Sequence, residues 1–594
     1  MGPPQPRTLL ASGRQRAILS PEKQLAIRRM PPSRSPYGAH HRLVRTGPPH
    51  VRPLSEPPEA RAPLQTVDSH EAASQTVRLG IAVVVALSMA WMALSIRDGH
   101  TWYDDFAQYV MQAANTARFA PFADTAYIYD PASPVVGPRL YPPIFPLLLA
   151  PVYHFAGVNL FLFKLLCLAC FLAALLVTLR LFRHALSPSG RLHYALIMGF
   201  SPVFWEMKDH IYSEHLFVPL FFGSILLMNM WYVRGSVFIN PPMHALCLGL
   251  LMYLSFGTRT VGIVLLPTLV VCELVRAYER RSSVPLASVF PRFRRRIGLN
   301  RVAAPFSETA REKVRPTSAM WGVSLIGGGA LLVALLLCTL QMLAMPQAGS
   351  GYADQLANLS PRIILKNLHA NSTSFSLVWE NGRNEWVRRV GGGMLMVLAV
   401  IGYLRCNIPR VSPLGVALVA YLTIVILWPG YSWLRAIWPV VPAFVFYMLV
   451  GSGFIARRVP RASVLPACII VFTFGSYVSF YSGADFGPIS NSIDSRNAKE
   501  MYAFVAAATS ETEAVLFWKP RGLALYTHRR ASKLPTRSPS VLLERAEAIG
   551  ASLLVVRNDP AASETIVTRQ IAGLHQVFVN DDWVVYRLPD RRPK

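Results

Sequence analysis

Long uncharged stretches, punctuated by single charges, fill the middle of the chain, while both ends read as ordinary polar sequence. Residues 79–96 carry no charge and are closed by Arg78 and Arg97. Similar runs lie between Glu214 and Arg234, Arg410 and Arg435, Arg435 and Arg457, and Arg461 and Asp485. A run of about 18 apolar residues is long enough to cross the hydrocarbon core as a helix. Several such runs in one chain cannot all be core helices of a soluble domain, so the pattern predicts an α-helical polytopic membrane protein. Counting the shorter runs near 194–205, 243–257, 260–275 and 390–404, about eleven transmembrane helices are expected within residues 78–482.

Two long polar segments interrupt the helices, at about 97–159 and 346–389. Residues 1–77 are rich in Pro, Arg and Ser and lack apolar periodicity, the composition of a disordered tail. No small-residue cleavage site follows the first apolar run, which argues against a signal peptide. From about 490 to 594 the pattern changes again. Segments 514–518, 552–557, 576–579 and 583–588 read as short strands, with amphipathic helices at 540–549 and 563–573, which predicts a small α/β domain. Asn580-Asp581-Asp582 reads as a hairpin turn between the last two strands.

A net charge of +27 in a soluble protein would point to nucleic acid. Its distribution here points to the membrane. Eleven Lys/Arg fall in residues 1–77 and eleven more in 276–315, with smaller clusters at Arg405 and Arg410 and at Arg457, Arg458 and Arg461. Positive residues stay on the cytoplasmic side of membrane proteins, so the N-terminus and these segments are expected inside. Eleven crossings then leave the two long loops and the C-terminal domain extracytoplasmic. No nucleic-acid partner is expected, since no recognisable fold or aromatic–basic pattern accompanies the charge. The seven cysteines lie within or beside apolar runs, which argues against a disulfide framework, and no CxxC pair has a second partner at zinc-like spacing.

The first loop opens with Trp102-Tyr103-Asp104-Asp105-Phe106, ahead of a predicted helix with Phe106, Tyr109, Val110 and Ala113 on one face. Asp104 or Asp105 there can serve simply as a helix cap, which would also fix a carboxylate at the membrane surface. Arg139-Leu140-Tyr141-Pro142-Pro143-Ile144-Phe145-Pro146 follows, and its closely spaced prolines predict a rigid turn back onto the bilayer. The simplest role for Arg139 is headgroup contact. Glu214 in Tyr212-Ser213-Glu214-His215 and Arg259 in Gly257-Thr258-Arg259-Thr260 stand at the predicted outer mouths of helices. Lys164 lies just inside its helix, and Arg435 follows Tyr431-Ser432-Trp433. Charges near or within spans are costly and mark polar cavities or substrate paths. Each alone can snorkel to the interface, Lys164 above all. Together, at one level and facing paired carboxylates, they predict a shared site. His210 and His215 read more simply as hydrogen-bonded polar residues than as ligands.

The motifs, in this order, resemble those of the GT-C glycosyltransferases of the protein O-mannosyltransferase and aminoarabinose-transferase type, over roughly residues 78–480 with a weaker echo in the tail domain. The similar elements are Tyr103-Asp104-Asp105, Arg139-Leu140-Tyr141-Pro142-Pro143, Ser213-Glu214-His215-Leu216-Phe217, Thr258-Arg259-Thr260-Val261-Gly262, and Leu434-Arg435-Ala436-Ile437-Trp438-Pro439-Val440-Val441-Pro442. Asp105 stands where Glu is common, and Ala436 replaces the usual aromatic after the arginine. The resemblance implies a sugar moved, with inversion, from a polyprenyl-phosphate donor to an extracytoplasmic acceptor, be it lipid, glycan or protein, at a bacterial inner membrane. It implies Asp104 as the leading catalytic residue with Asp105 in support, and Arg139, Tyr141, Lys164, Glu214, Arg259 and Arg435 as substrate-binding residues. A polyprenyl phosphate is a good leaving group that needs charge stabilisation more than a general acid. The acceptor hydroxyl is a poor nucleophile and benefits from a base. Oligosaccharyl-transferring relatives hold a divalent cation with acidic residues from separate loops, for which Asp105, Asp209 and Glu214 would be the counterparts here. Nothing in their spacing requires a metal, and no cofactor is expected.

The main alternatives are a transporter or flippase for lipid-linked sugars, and a non-catalytic protein of envelope-polysaccharide assembly. Transporters often carry internal repeats, which this sequence lacks. A scaffold would keep its function with Asp104→Asn, whereas an enzyme using that residue would not.

Overall fold

The computed structural model describes residues 65–132, 137–282, 319–345, 359–408, 410–428 and 434–589. Most of the expected tail, the basic segment beyond residue 282 and residues 346–358 of the second loop lie outside them. Each apolar run forms helix over most of its described residues. Helix α1 (Gln65–Leu94) begins inside the stretch expected as tail, because residues 65–77 contain neither Gly nor Pro to stop a helix extending back from the apolar run. The first loop holds α2 (Asp105–Ala117) and α3 (Ile144–Ala156), which pack together. The prolines expected to form only a turn begin a helix instead: Pro143 is its N-cap and Pro146 lies in its first turn, where a missing N–H costs nothing.

Then follow α4 (Leu160–Phe182), α5 (Pro188–Gly199) and α6 (Pro202–Met207). The run expected as one helix at 194–205 is therefore broken, at extended Ser201 before Pro202. Helices α7 (Glu214–Tyr232), α8 (Pro241–Thr258), α9 (Leu265–Ser282), α10 (Ala319–Ala344), α11 (Pro361–Ser374), α12 (Glu385–Asn407) and α13 (Pro413–Leu427) come next. The bundle ends with α14 (Leu434–Ile437), α15 (Val441–Arg458) and α16 (Leu465–Tyr481). Among the described residues eight helical stretches are long and apolar enough to cross a membrane, and α3 and α13 are shorter apolar helices. The chain is a multi-pass membrane protein. Small residues permit one close crossing: a Cβ added at Gly402 of α12 would lie 1.9 Å from the Tyr447 carbonyl oxygen of α15, and one at Gly451 would lie 2.0 Å from that of Leu398.

The C-terminal part comprises α17 (Arg496–Ala508), β2 (Ala514–Phe517), α18 (Pro520–Thr527), β3 (Arg530–Lys533), α19 (Pro539–Ile549), β4 (Ala551–Arg557), α20 (Ser563–Thr568), β5 (His575–Val579) and β6 (Trp583–Arg587). Four of these strands match the sequence expectation, and Asn580 closes the β5–β6 hairpin by donating to the Trp583 carbonyl at 2.9 Å. The sheet order is β1-β3-β2-β4-β6-β5, where β1 (Tyr127–Ile128) comes from the first loop and pairs parallel with β3. Alternation along β2 and β4 explains why both read as continuous apolar runs. Val515, Phe517, Leu553 and Val555 face one core, and Leu516, Leu534, Leu542, Leu554 and Val556 another. The first of these cores also contains Phe106, Tyr109 and Leu149, so the first loop and the sheet fold around shared apolar side chains.

Candidate active site

Four motif residues meet because each stands at a helix terminus. Asp105 opens α2, Glu214 opens α7, Arg259 ends α8 with an extended backbone, and Arg435 lies in the short α14. The sharp reversal after Arg259 depends on Gly262, where a Cβ would lie 2.6 Å from the backbone of Ser255. Gly257 matters similarly, since a Cβ there would meet Ile144 of α3 at 2.6 Å.

The side chains form a continuous polar chain. Asp105 accepts from the Tyr141 hydroxyl at 2.5 Å through Oδ1, and Arg435 Nη1 pairs with Oδ2. Arg435 turns its Nε and Nη2 to Glu214, the latter at 3.3 Å, and Glu214 also pairs with Arg259. Ser213 donates to Glu214 at 3.4 Å, lies 3.5 Å from Arg259 Nη1, and shares a 3.0 Å hydrogen bond with the Tyr109 hydroxyl. The guanidinium of Arg435 rests 4.1 Å from the Tyr212 ring centroid. That ring supplies the aromatic partner that Ala436 does not. Glu214 is wholly buried, while Asp105, Arg259 and Arg435 are each about a quarter exposed, at 24%, 26% and 28%.

The remaining expected residues lie elsewhere. Lys164 is buried and spends its ammonium on the carbonyls of Arg97 at 2.6 Å and Gly99 at 2.5 Å, which pins the start of the first loop. The Arg139 side chain is exposed, and among the described residues only its carbonyl is engaged, by Gln108 at 3.1 Å. Asp104 holds the N-cap position of α2 but makes no side-chain cap there. Its carboxylate, 7% exposed, instead accepts the backbone N–H groups of Arg521 at 3.3 Å and Gly522 at 2.9 Å.

Sequence reasoning missed Arg521. Fully buried, it donates through Nη1 to Asp105 at 3.1 Å and Tyr141 at 3.0 Å, and through Nη2 to the Pro138 carbonyl at 2.7 Å. The two adjacent acids consequently titrate in opposite directions. Burial pushes Asp105 up, but Arg435, Arg521 and the Tyr141 hydroxyl outweigh it and hold the carboxyl well below the usual range. At Asp104 burial prevails over Arg521, Lys519 and the two amides, so its pKa is raised.

A metal held by Asp105, Asp209 and Glu214 does not fit this arrangement. Guanidinium groups face the oxygens of Asp105 and Glu214, and Asp209 pairs with Lys208 at 2.7 Å while accepting from the Arg97 amide at 3.0 Å. A divalent cation would have to displace these cations. Among the described residues no three His, Cys, Asp or Glu gather as metal ligands.

Fold and cluster together define a polytopic helical membrane protein with a carboxylate–arginine centre where the bundle meets an α/β domain. No protein-family profile and no curated protein sequence matches the chain. Among solved structures, the fold is similar to that of ArnT from Cupriavidus metallidurans bound to undecaprenyl phosphate, at 13% identity, covering 88% of this chain and 100% of that one with a TM-score of 0.52. The oligosaccharyltransferase AglB from Archaeoglobus fulgidus, in complex with an inhibitory peptide and a dolichol-phosphate, matches at 12% identity, 82% and 71% coverage and a TM-score of 0.49. The arabinofuranosyltransferase AftD from Mycobacteria matches at 13% identity, 86% and 41% coverage and a TM-score of 0.44. The ArnT likeness is one of fold, and it is the fold that the motifs implied.

Proposed function

We propose that the chain is a membrane glycosyltransferase that moves a sugar from a polyprenyl-phosphate donor to a hydroxyl acceptor, with inversion at the sugar carbon. The observation that carries this reading is the relay Asp105–Arg435–Glu214–Arg259, whose buried Glu214 holds two partly exposed guanidiniums side by side. The planar fork of arginine matches phosphate oxygens bidentately. The ArnT structure of similar fold contains undecaprenyl phosphate, a ligand of this chemistry.

Donor phosphate competes with Asp105 for Arg435. When Arg435 turns to the phosphate, Asp105 loses a neutralising partner and its basicity rises. Asp105 then takes the proton of the acceptor hydroxyl as that oxygen attacks the sugar's anomeric carbon. The bond from this carbon to the phosphate oxygen breaks on the opposite face, and its electron pair leaves on the polyprenyl phosphate. Arg259 and Arg435 stabilise the developing charge, the task a divalent cation would otherwise perform. Asp105 is the base in this scheme and not Asp104, whose oxygens are turned to backbone amides. The same reading orients the N-terminus and residues 276–315 toward the cytoplasm of a bacterial cell. The site and α/β domain then face outward, where lipid, glycan or protein acceptors are met.

The test uses purified protein, a polyprenyl-phosphate sugar and an acceptor. Asp105→Asn is expected to lower turnover by about a hundred- to ten-thousandfold while donor binding persists. Near-parent turnover would remove Asp105 from the mechanism, and a parent protein inert with every such donor would remove the reading itself.

A further inference from the structure

We infer that the C-terminal α/β domain is a working part of the active site: through Arg521 it positions the Asp105 carboxylate, and Asp104 is the latch that docks it. The catalytic half of this inference rests on the glycosyltransferase reading. The docking half stands on geometry alone.

Arg521 is a cation with no exposed surface, and among the described residues every polar group its guanidinium meets belongs to the first loop: Asp105, Tyr141 and the Pro138 carbonyl. The rings of Tyr127 and Tyr141 lie 4.7 and 5.1 Å from it. An apolar side chain would fill such a space at lower desolvation cost. What the guanidinium adds is a fixed donor on Asp105 Oδ1, leaving Oδ2 to Arg435. The two arginines divide the work. Arg435 is partly exposed and free to move to a phosphate, whereas Arg521 is enclosed and keeps the carboxylate ionised and aimed after Arg435 has moved.

The latch follows from helix geometry. The first amides of a helix have no partner within it, and Pro520 stands in the first turn of α18. Asp104 accepts the next two amides, those of Arg521 and Gly522, and so caps a helix more than 400 residues away (separations 417 and 418). The segment leading into the domain is tied to the same loop. Ile489 donates to the Asp98 carbonyl and Ile493 to the His100 carbonyl, each at 2.9 Å, while His100 donates to Ser492 Oγ at 2.8 Å. Adjacent acids at the start of α2 thus have separate duties: Asp104 holds the domain and Asp105 receives its arginine.

The test compares the full-length parent with Arg521→Gln, Arg521→Lys and Asp104→Asn by amide hydrogen exchange and by transfer kinetics against pH. Arg521→Gln should retain exchange protection in α18 and β1, lose about a hundredfold in kcat, as misplacement of a reacting group does, and move the acidic limb of the rate profile to higher pH. Arg521→Lys should restore the limb and part of the rate, a response that a purely structural arginine would not give. Asp104→Asn should speed exchange at the start of α18 and in β1. An unshifted profile with near-parent rate in Arg521→Gln overturns the positioning role, and unchanged exchange in Asp104→Asn overturns the latch. If the parent transfers no sugar, the catalytic half falls with the glycosyltransferase reading, and the exchange result still decides the docking half.

Discussion

Arg435→Lys keeps the charge of the relay and removes its fork. In the parent, Nη1 meets Asp105 while Nε and Nη2 meet Glu214, the latter at 3.3 Å. A single ammonium cannot span both carboxylates, so one side of the bridge is lost. A hydrogen bond to a charged group is worth about 1.5–3 kcal/mol. Arg435 is 28% exposed and Glu214 is wholly buried, so solvent screening discounts this only slightly. In the proposed transition state the fork has turned to the phosphate, and loss of one charged hydrogen bond there corresponds to a roughly 10- to 150-fold fall in kcat/KM. In the proposed mechanism the same fork binds the phosphate, so donor affinity should weaken with it. Initial-rate kinetics over a donor titration, beside direct titration with undecaprenyl phosphate, separate the two effects, with equal membrane insertion as the control. A lysine variant with parent kcat/KM and parent affinity would refute the exchange of Arg435 between carboxylate and phosphate and leave it a structural bridge.

The sequence carried the helices well, because uncharged runs bounded by arginine admit few other interpretations in a membrane. It also marked five residues that do converge: Asp105, Tyr141, Glu214, Arg259 and Arg435. What the sequence did not separate has specific physical causes. Asp104 and Asp105 are neighbours at a helix start, where successive side chains diverge by about 100°, and spacing cannot tell which faces the cluster and which faces another domain. Lys164 looked like a site residue because it is charged within an apolar run, yet backbone carbonyls satisfy it as fully as a substrate would. Arg521 gave no signal, since Lys519-Pro520-Arg521-Gly522 is an ordinary turn-to-helix sequence and its partners lie at the other end of the chain. The two-residue β1 is too short to show alternation, so the docking of the first loop on the sheet was equally invisible.

Two further outcomes are expected. Reporter fusions at residue 300 and at the C-terminus should give opposite signals, and matching signals would overturn the outward orientation of the site. The second outcome concerns pH. In the free protein Arg435 and Arg521 hold Asp105 well below the usual carboxylate range. A base must be ionised to act, so its contribution is lost only as pH falls through this depressed value. In the proposed donor complex Arg435 is shared with the phosphate, whose negative charge also lies close by, and both changes would raise the pKa of Asp105 toward its ordinary value. The profile of kcat/KM reports the free protein and that of kcat the complex. The acidic limb of kcat should therefore lie at higher pH than that of kcat/KM, and Arg435→Lys should narrow the gap by weakening the contact that donor binding relieves. Coincident limbs in the parent would mean that Asp105 keeps the same electrostatic surroundings throughout. The relay would then be a fixed scaffold, and the proton acceptor would have to be sought outside it.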